Sequence, residues 1–108
     1  MRIYTYIGGI MVSNDVYLLS EFYKILSDPT RLKIILTLIE KEQCVQEISK
    51  KTNMSQTAVS YQLRILRVSR VVKFERRGQF TYYSLDDDHV SQIISLTKEH
   101  LSHGDYYE

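Results

Sequence analysis

Apolar residues in the first two thirds of the chain recur three and four positions apart. Val16, Leu19, Phe22, Tyr23 and Leu26 follow Ser13-Asn14-Asp15, residue types that cap helix starts, and predict a first helix over about 15–26. Ser27-Asp28-Pro29 restarts the chain. Pro29 suits a first helical position, where its missing N–H is not needed. Leu32, Ile35, Leu36, Leu38 and Ile39 then predict a second helix over about 29–41, the most buried-looking segment. A third helix, about 44–52, turns Val45 and Ile48 inward. Thr52-Asn53-Met54-Ser55 makes a short turn, and Ser55 caps a fourth helix over about 56–68 with Val59, Leu63 and Leu66 inward.

The period then changes. Val71–Glu75 reads as a strand, Arg76-Arg77-Gly78-Gln79 as a turn whose glycine is free to take positive φ, and Phe80–Ser84 as the returning strand. Asp86-Asp87-Asp88 favours a helix N-terminus electrostatically, and a last helix over about 88–102 carries Val90, Ile93, Ile94 and Leu101. The expected class is α+β, mostly α. Two short helices joined by a tight turn and followed by a basic hairpin form the plan of a winged helix-turn-helix, here with a C-terminal dimerisation helix. Residues 15–103 would form that domain, 1–14 an N-terminal leader without predicted elements, and 104–108 a C-terminal tail.

Composition narrows the classes. With 108 residues and 44% hydrophobic content the chain builds one core, which excludes a two-domain enzyme. A single cysteine, Cys44, excludes an internal disulfide framework and a four-thiolate zinc site within one chain. No apolar run approaches the roughly 20 residues of a membrane helix, and residues 1–10 are too short and polar for a signal peptide. The expectation is a cytoplasmic protein with no membrane partner.

Net charge is only +1, but it is segregated. Between Lys50 and Arg77 stand eight basic side chains against the single acid Glu75, a net of +7. The remainder holds six basic and twelve acidic residues, a net of −6. A basic middle with acidic flanks suits a polyanion. On the fourth helix, Ser55, Gln56, Thr57, Ser60, Tyr61 and Arg64 are candidate DNA contacts. Gln pairs bidentately with adenine, and Ser or Thr serves a base or a phosphate. Arg76, Arg77 and Gln79 at the hairpin tip are candidates for phosphate or minor-groove contact. The competing reading, a small domain that uses its hairpin only for packing, leaves the charge segregation unexplained.

All three histidines, His89, His100 and His103, lie on the last helix. Eleven steps separate His89 from His100, about 20° past three full turns, so they share a face, and His103 stays near it. Asp87 lies beside His89. The same eleven steps span about 16 Å, whereas metal–nitrogen bonds are about 2 Å, so one straight helix cannot put both on one ion. Two antiparallel copies about a two-fold axis can. Asp87 and His89 of one chain would meet His100 and His103 of the other, with Ile93 and Leu96 at the seam. Three imidazoles and one carboxylate suit tetrahedral Zn(II) or Co(II) as a regulatory ligand. Four ligands close the shell and no histidine is left for a catalytic triad. The sequence therefore points to no enzyme, no catalytic cofactor and no small organic substrate.

Leu26-Ser27-Asp28-Pro29-Thr30-Arg31-Leu32-Lys33-Ile34 resembles the second-helix signature of the ArsR/SmtB family of metal-sensing repressors. Ser55-Gln56-Thr57-Ala58-Val59-Ser60-Tyr61-Gln62-Leu63-Arg64 resembles its recognition helix, and Tyr82-Tyr83-Ser84-Leu85-Asp86-Asp87 the end of its wing. Asp87-x-His89 followed by His100-x-x-His103 is similar to the last-helix site of the zinc/cobalt sensors of the CzrA type. The resemblance implies a cytoplasmic homodimer that binds double-stranded operator DNA without metal and releases it with metal. The family's cadmium/lead and arsenic sensors use cysteine pairs or triads near the third helix. Gln46 stands where a second cysteine would be, so Cys44 reads as a packed thiol. His100 is further expected to donate to a backbone carbonyl around 69–71. Two alternatives remain open here. One is a winged-helix regulator without a functional metal site, its histidines idle or pH-sensing. The other is a metal-buffering or protein-interaction module.

Overall fold

A computed structural model of the chain describes residues 4–7 and 10–103. Residues 1–3, 8–9 and 104–108, which include the expected C-terminal tail and part of the expected leader, lie outside the described residues. The elements run β1 (Tyr4–Ile7), β2 (Ile10–Ser13), α1 (Asn14–Ser27), α2 (Pro29–Glu40), β3 (Gln43–Cys44), α3 (Val45–Thr52), α4 (Gln56–Val68), β4 (Val72–Arg77), β5 (Phe80–Leu85) and α5 (His89–Ser102).

Local chemistry sets the boundaries. The Asp28 carboxylate accepts from the Arg31 amide at 3.0 Å and caps α2, with Pro29 in its first turn. Asn53 takes a left-handed conformation (φ 58) to end α3 and turn the chain toward α4. The Ser55 hydroxyl then accepts from the Ala58 amide at 3.1 Å. At the far end of α4, Arg70 is left-handed (φ 62), its amide donates to the Arg67 carbonyl, and the Val71 amide donates to the Leu66 carbonyl. That pair of bonds is a Schellman closure made without glycine, and it aims the chain straight into β4.

Strands β3, β5 and β4 form one antiparallel sheet in that order, with Cys44 opposite Tyr82, Glu75 opposite Tyr82 and Arg77 opposite Phe80. The core sits where α2, α3, α4 and the base of the sheet meet. Ile34, Ile35, Ile48, Val59, Leu63, Leu66 and Val71 are fully enclosed, joined by Leu38, Val72 and Val90. The inward residues expected on α4 are all in this core.

The structure departs from the sequence reading in three places. Strands β1 and β2 pair where only a leader was expected. Their sequences are rich in β-branched and aromatic residues on either side of Gly8-Gly9, a pair that favours a two-residue hairpin. Strand β3 was not foreseen either, because two residues carry no period of their own. Finally, on α2, read as the most buried segment, Leu36 and Ile39 are 40% and 39% exposed, and α1 has no buried residue, with Val16, Leu19 and Tyr23 51%, 58% and 55% exposed. Phe22, Ile25 and Leu26 do pack against the core, so the uncovered stripe is the rest of the apolar face.

Candidate functional site

Helix α4 presents two unlike sides. Val59, Leu63 and Leu66 anchor it in the core, while Gln56, Thr57, Ser60, Tyr61 and Arg64 all project to solvent. The sequence-predicted contacts thus share one accessible face, short and hydrogen-bonding near the N-terminus and cationic further on. Ser55 is exposed as well, but its hydroxyl is engaged in the cap, so its part in this face is to hold the helix start. An exposed polar helix face of this kind can be laid into a DNA major groove.

A residue that the sequence reading passed over steadies this helix. The Arg31 guanidinium on α2 donates to the Ile25 carbonyl at 3.1 Å, to the Lys24 carbonyl at 3.4 Å and to Gln62 Oε1 on α4 at 3.4 Å. One side chain therefore ties the end of α1 to the middle of α4. The planar five-donor guanidinium is suited to such a three-way task.

The wing is β4 and β5 with the turn at Gly78 (φ 63), where a left-handed backbone favours glycine. Arg76 and Gln79 are exposed beside that turn. Arg67 on α4 lies 5.1 Å from the Phe74 ring centroid and joins the helix to the wing by a cation–π contact. Arg77, expected at a phosphate or in the minor groove, is engaged within the chain by Glu42 and by the Tyr82 ring.

At the opposite end, Asp87 and His89 come together. The Asp87 carboxylate accepts from the His89 amide at 2.8 Å, and its second oxygen lies 3.1 Å from His89 Nδ1. The amide hydrogen bond holds the Asp87 carboxyl below the usual carboxylate range, and the imidazole acts in the same direction. His100 and His103 are exposed at the far end of α5. Among the described residues no three potential ligands meet within one chain. Asp87 and His89 make half of a four-donor set, and His100 and His103 the other half. The Asp86 amide donates to the Val71 carbonyl at 2.9 Å, so the segment carrying Asp87 is bonded directly to the closure of α4. Val71, one of the carbonyls considered for His100, already accepts there.

Between α1, α2 and α5 lies an open apolar groove of about 590 Å³, lined by Tyr23, Leu26, Leu36, Ile93, Ile94 and Leu101 among others. Leu96 stands 66% exposed nearby on α5. Cys44 is a buried free thiol at the start of α3, and its amide donates to Glu47 at 3.0 Å, which keeps that carboxyl low.

Comparison with known proteins decides the family. The model described as bacterial regulatory protein, arsR family, matches residues 28–73, from the α2 cap into β4. A transcriptional repressor SmtB homolog of Synechocystis sp. is 38% identical over 96 residues, which span 89% of this chain and 73% of that one. The chain belongs to the arsR family of bacterial regulatory proteins. As an arsR-family member it is a transcriptional repressor with a winged helix-turn-helix DNA-binding domain, and not an enzyme. It is also similar to a cadmium resistance regulatory protein CadC homolog of Staphylococcus aureus, 38% identical over 76 residues, spanning 69% of this chain and 63% of that one. Among solved structures, the homodimeric winged helix-turn-helix domain of a possible ArsR-family regulator of Mycobacterium bovis superposes with a TM-score of 0.76 at 26% identity, covering 88% of this chain and 92% of that one. Among the described residues no helix is long and apolar enough to cross a membrane.

Proposed function

We propose that this arsR-family repressor is a homodimer that binds operator DNA through α4 and the wing and is released when Zn(II) or Co(II) binds between the two α5 helices. The observation that carries the reading is the division of four exposed donors, Asp87 with His89 at one end of α5 and His100 with His103 at the other, each too few for a site. Three imidazoles and a carboxylate are a fitting donor set for either ion, which when bound would supply a rigid link between the chains. The uncovered stripe on α1, the groove beside α5 and exposed Leu96 support a dimer seam there, since a second copy would remove that apolar surface from water. The homodimeric Mycobacterium bovis neighbour is in keeping with it.

On DNA, Gln56, Thr57, Ser60, Tyr61 and Arg64 would read base edges and nearby phosphates. Arg76 and Gln79 would meet the backbone beside them. A two-fold dimer suits a palindromic operator with half-sites about one helical turn apart. The bond from the Asp86 amide to the Val71 carbonyl gives the sensing end of α5 a direct hold on the end of the recognition helix. Couplings between sites of this kind are typically about 1–3 kcal/mol.

The test is a DNA-binding titration with and without Zn(II) on the region upstream of the protein's own gene. Tight, salt-dependent binding without metal and loss of it with zinc is the expected result. Binding that ignores zinc favours the regulator with idle histidines. Absence of salt-dependent duplex binding contradicts the operator-binding reading altogether.

A further inference from the structure

The wing carries three cations, Lys73, Arg76 and Arg77, yet their surroundings differ. Among the described residues Arg76 has no ion-pair partner. Arg77, one position further, does not follow the tip outward. Its guanidinium lies over the Tyr82 ring, 4.2 Å from the centroid, and Nη2 donates to Glu42 Oε2. Its Nε also lies 3.6 Å from Glu75 Oε1. Tyr82 belongs to the central strand β5, and Glu42 immediately precedes the opposite edge strand β3. The side chain therefore crosses the sheet from one edge to the other, using the aromatic ring as its floor.

We propose that Glu42 is an intramolecular competitor for DNA phosphate at Arg77, a latch that removes this arginine from the electrostatic footprint of the wing. The proposal rests on the DNA-binding reading above. A guanidinium meets carboxylate and phosphate with the same fork of donors, so Glu42 and a phosphate cannot both take its best-placed N–H groups. An isolated exposed ion pair holds weakly, but here stacking on Tyr82 and the second carboxylate of Glu75 act on the same group. Both ends of the latch remain about half exposed, 46% for Arg77 and 47% for Glu42, so the pair is accessible to competition. The wing then meets the backbone through Arg76, and Glu42 sets how much non-specific affinity the domain has.

The experiment measures binding to a random duplex against salt concentration for the wild type, Glu42→Gln, Arg77→Ala, Arg76→Ala and the Glu42→Gln/Arg77→Ala double variant, using the full chain. Each phosphate contact contributes about 0.9 to the log–log slope. Glu42→Gln frees Arg77, so the slope steepens by about 0.9 and random-duplex binding tightens. Arg77→Ala leaves the wild-type slope in place, whereas Arg76→Ala lowers it by about 0.9. The double variant behaves as Arg77→Ala alone. That last arm separates a latch from the mere loss of a negative charge, which would strengthen binding with or without Arg77. An unchanged slope in Glu42→Gln, a fall of about 0.9 in Arg77→Ala, or a Glu42→Gln effect that persists without Arg77 overturns the latch while leaving the DNA-binding reading intact. A wild type without salt-dependent binding overturns both.

Discussion

The α4–wing face and the α1–α5 face of this domain are built on opposite principles. On the first, Gln56, Thr57, Ser60, Tyr61 and Arg64 stand on one helix, anchored by Val59, Leu63 and Leu66 and capped at both ends within the same chain, with Arg76 and Gln79 on the wing beside it. On the second, apolar residues are exposed and the four potential ligands are divided between the two ends of a helix. Under the proposed function, a single chain completes the face that would read DNA and carries only half of each metal site. The lesson is that response to metal, in this account, is a property of the assembled pair, whereas the polar face that reads DNA belongs to each chain.

The largest effects break the sensing half alone. His100→Ala removes a ligand from both proposed sites of a dimer, so zinc-driven release of DNA should disappear while metal-free binding stays within about twofold, as expected for an exposed side chain outside the proposed DNA face. His103→Ala should weaken metal binding with part of the response kept, because water can take the fourth position. Release that survives in His100→Ala, followed by fluorescence anisotropy of a labelled operator, would remove His100 from the site.

Next in size is the seam. Leu19→Glu places a charge on the uncovered α1 stripe at a position 58% exposed in the single chain, so the fold should tolerate it. Burying that charge against a second copy costs several kcal/mol, which weakens dimerisation on the order of hundredfold or more. Sedimentation at micromolar concentration should show monomers with an unchanged helical circular dichroism spectrum. A dimer of wild-type stability would put the seam elsewhere.

Changes on the DNA half should be smaller and separable. Gln56→Ala should reduce the preference for operator over random DNA by about tenfold, at the low end of a bidentate base contact, with the salt slope unchanged. Ser55→Ala should cost about 1 kcal/mol of stability through loss of the α4 cap, measurable as a lowered midpoint in urea. If Ser55→Ala instead abolishes operator preference without a stability change, its hydroxyl reads DNA and does not cap.

How much was legible in advance follows the same division. The limits of α4 agree with its period and cap, because Ser55 and the Val59-Leu63-Leu66 spacing are local signals. The β4–β5 wing was readable from a change of period around Gly78. What escaped depends on residues far apart. Strand β3 exists only by pairing with β5, and Arg77 meets an acid 35 positions away, a contact that no local pattern announces. The β1–β2 pair joins two β-prone runs on either side of Gly8-Gly9, a signal that is local in the sequence. Periodicity marks an apolar face but cannot say whether the same chain covers it, so the spacing of Val16, Leu19 and Tyr23 on α1 and of Leu36 and Ile39 on α2 did not announce their exposure. Helical spacing did place Asp87 and His89 at one end of α5 and His100 and His103 at the other.

The smallest effect expected concerns pH. The His89 amide holds Asp87 in its anionic form, so its hydrogen bonds support the start of α5 throughout the range above ordinary carboxylate titration and are lost only as pH falls through the lowered value. The Asp87 carboxylate should therefore stay available to a metal ion at mildly acidic pH, and competition between protons and metal makes the pH of metal loss depend on affinity. Asp87→Asn should weaken cobalt binding and so raise the pH at which a fixed cobalt concentration is lost. Cobalt loss at an unchanged pH in Asp87→Asn would take Asp87 out of the site.

The claim that two chains are needed to complete one metal site has a direct test by mixing. One variant carries Asp87→Ala with His89→Ala, the other His100→Ala with His103→Ala, and neither should give tetrahedral Co(II) absorption bands alone. Unfolded together and refolded as an equal mixture, half of the dimers combine the two kinds of chain, and each such dimer has one complete site and one empty one. Bands at about a quarter of the wild-type intensity are the predicted result for a two-fold dimer with shared sites. A mixture as colourless as its two components would mean that no site is shared between chains, and would contradict the account.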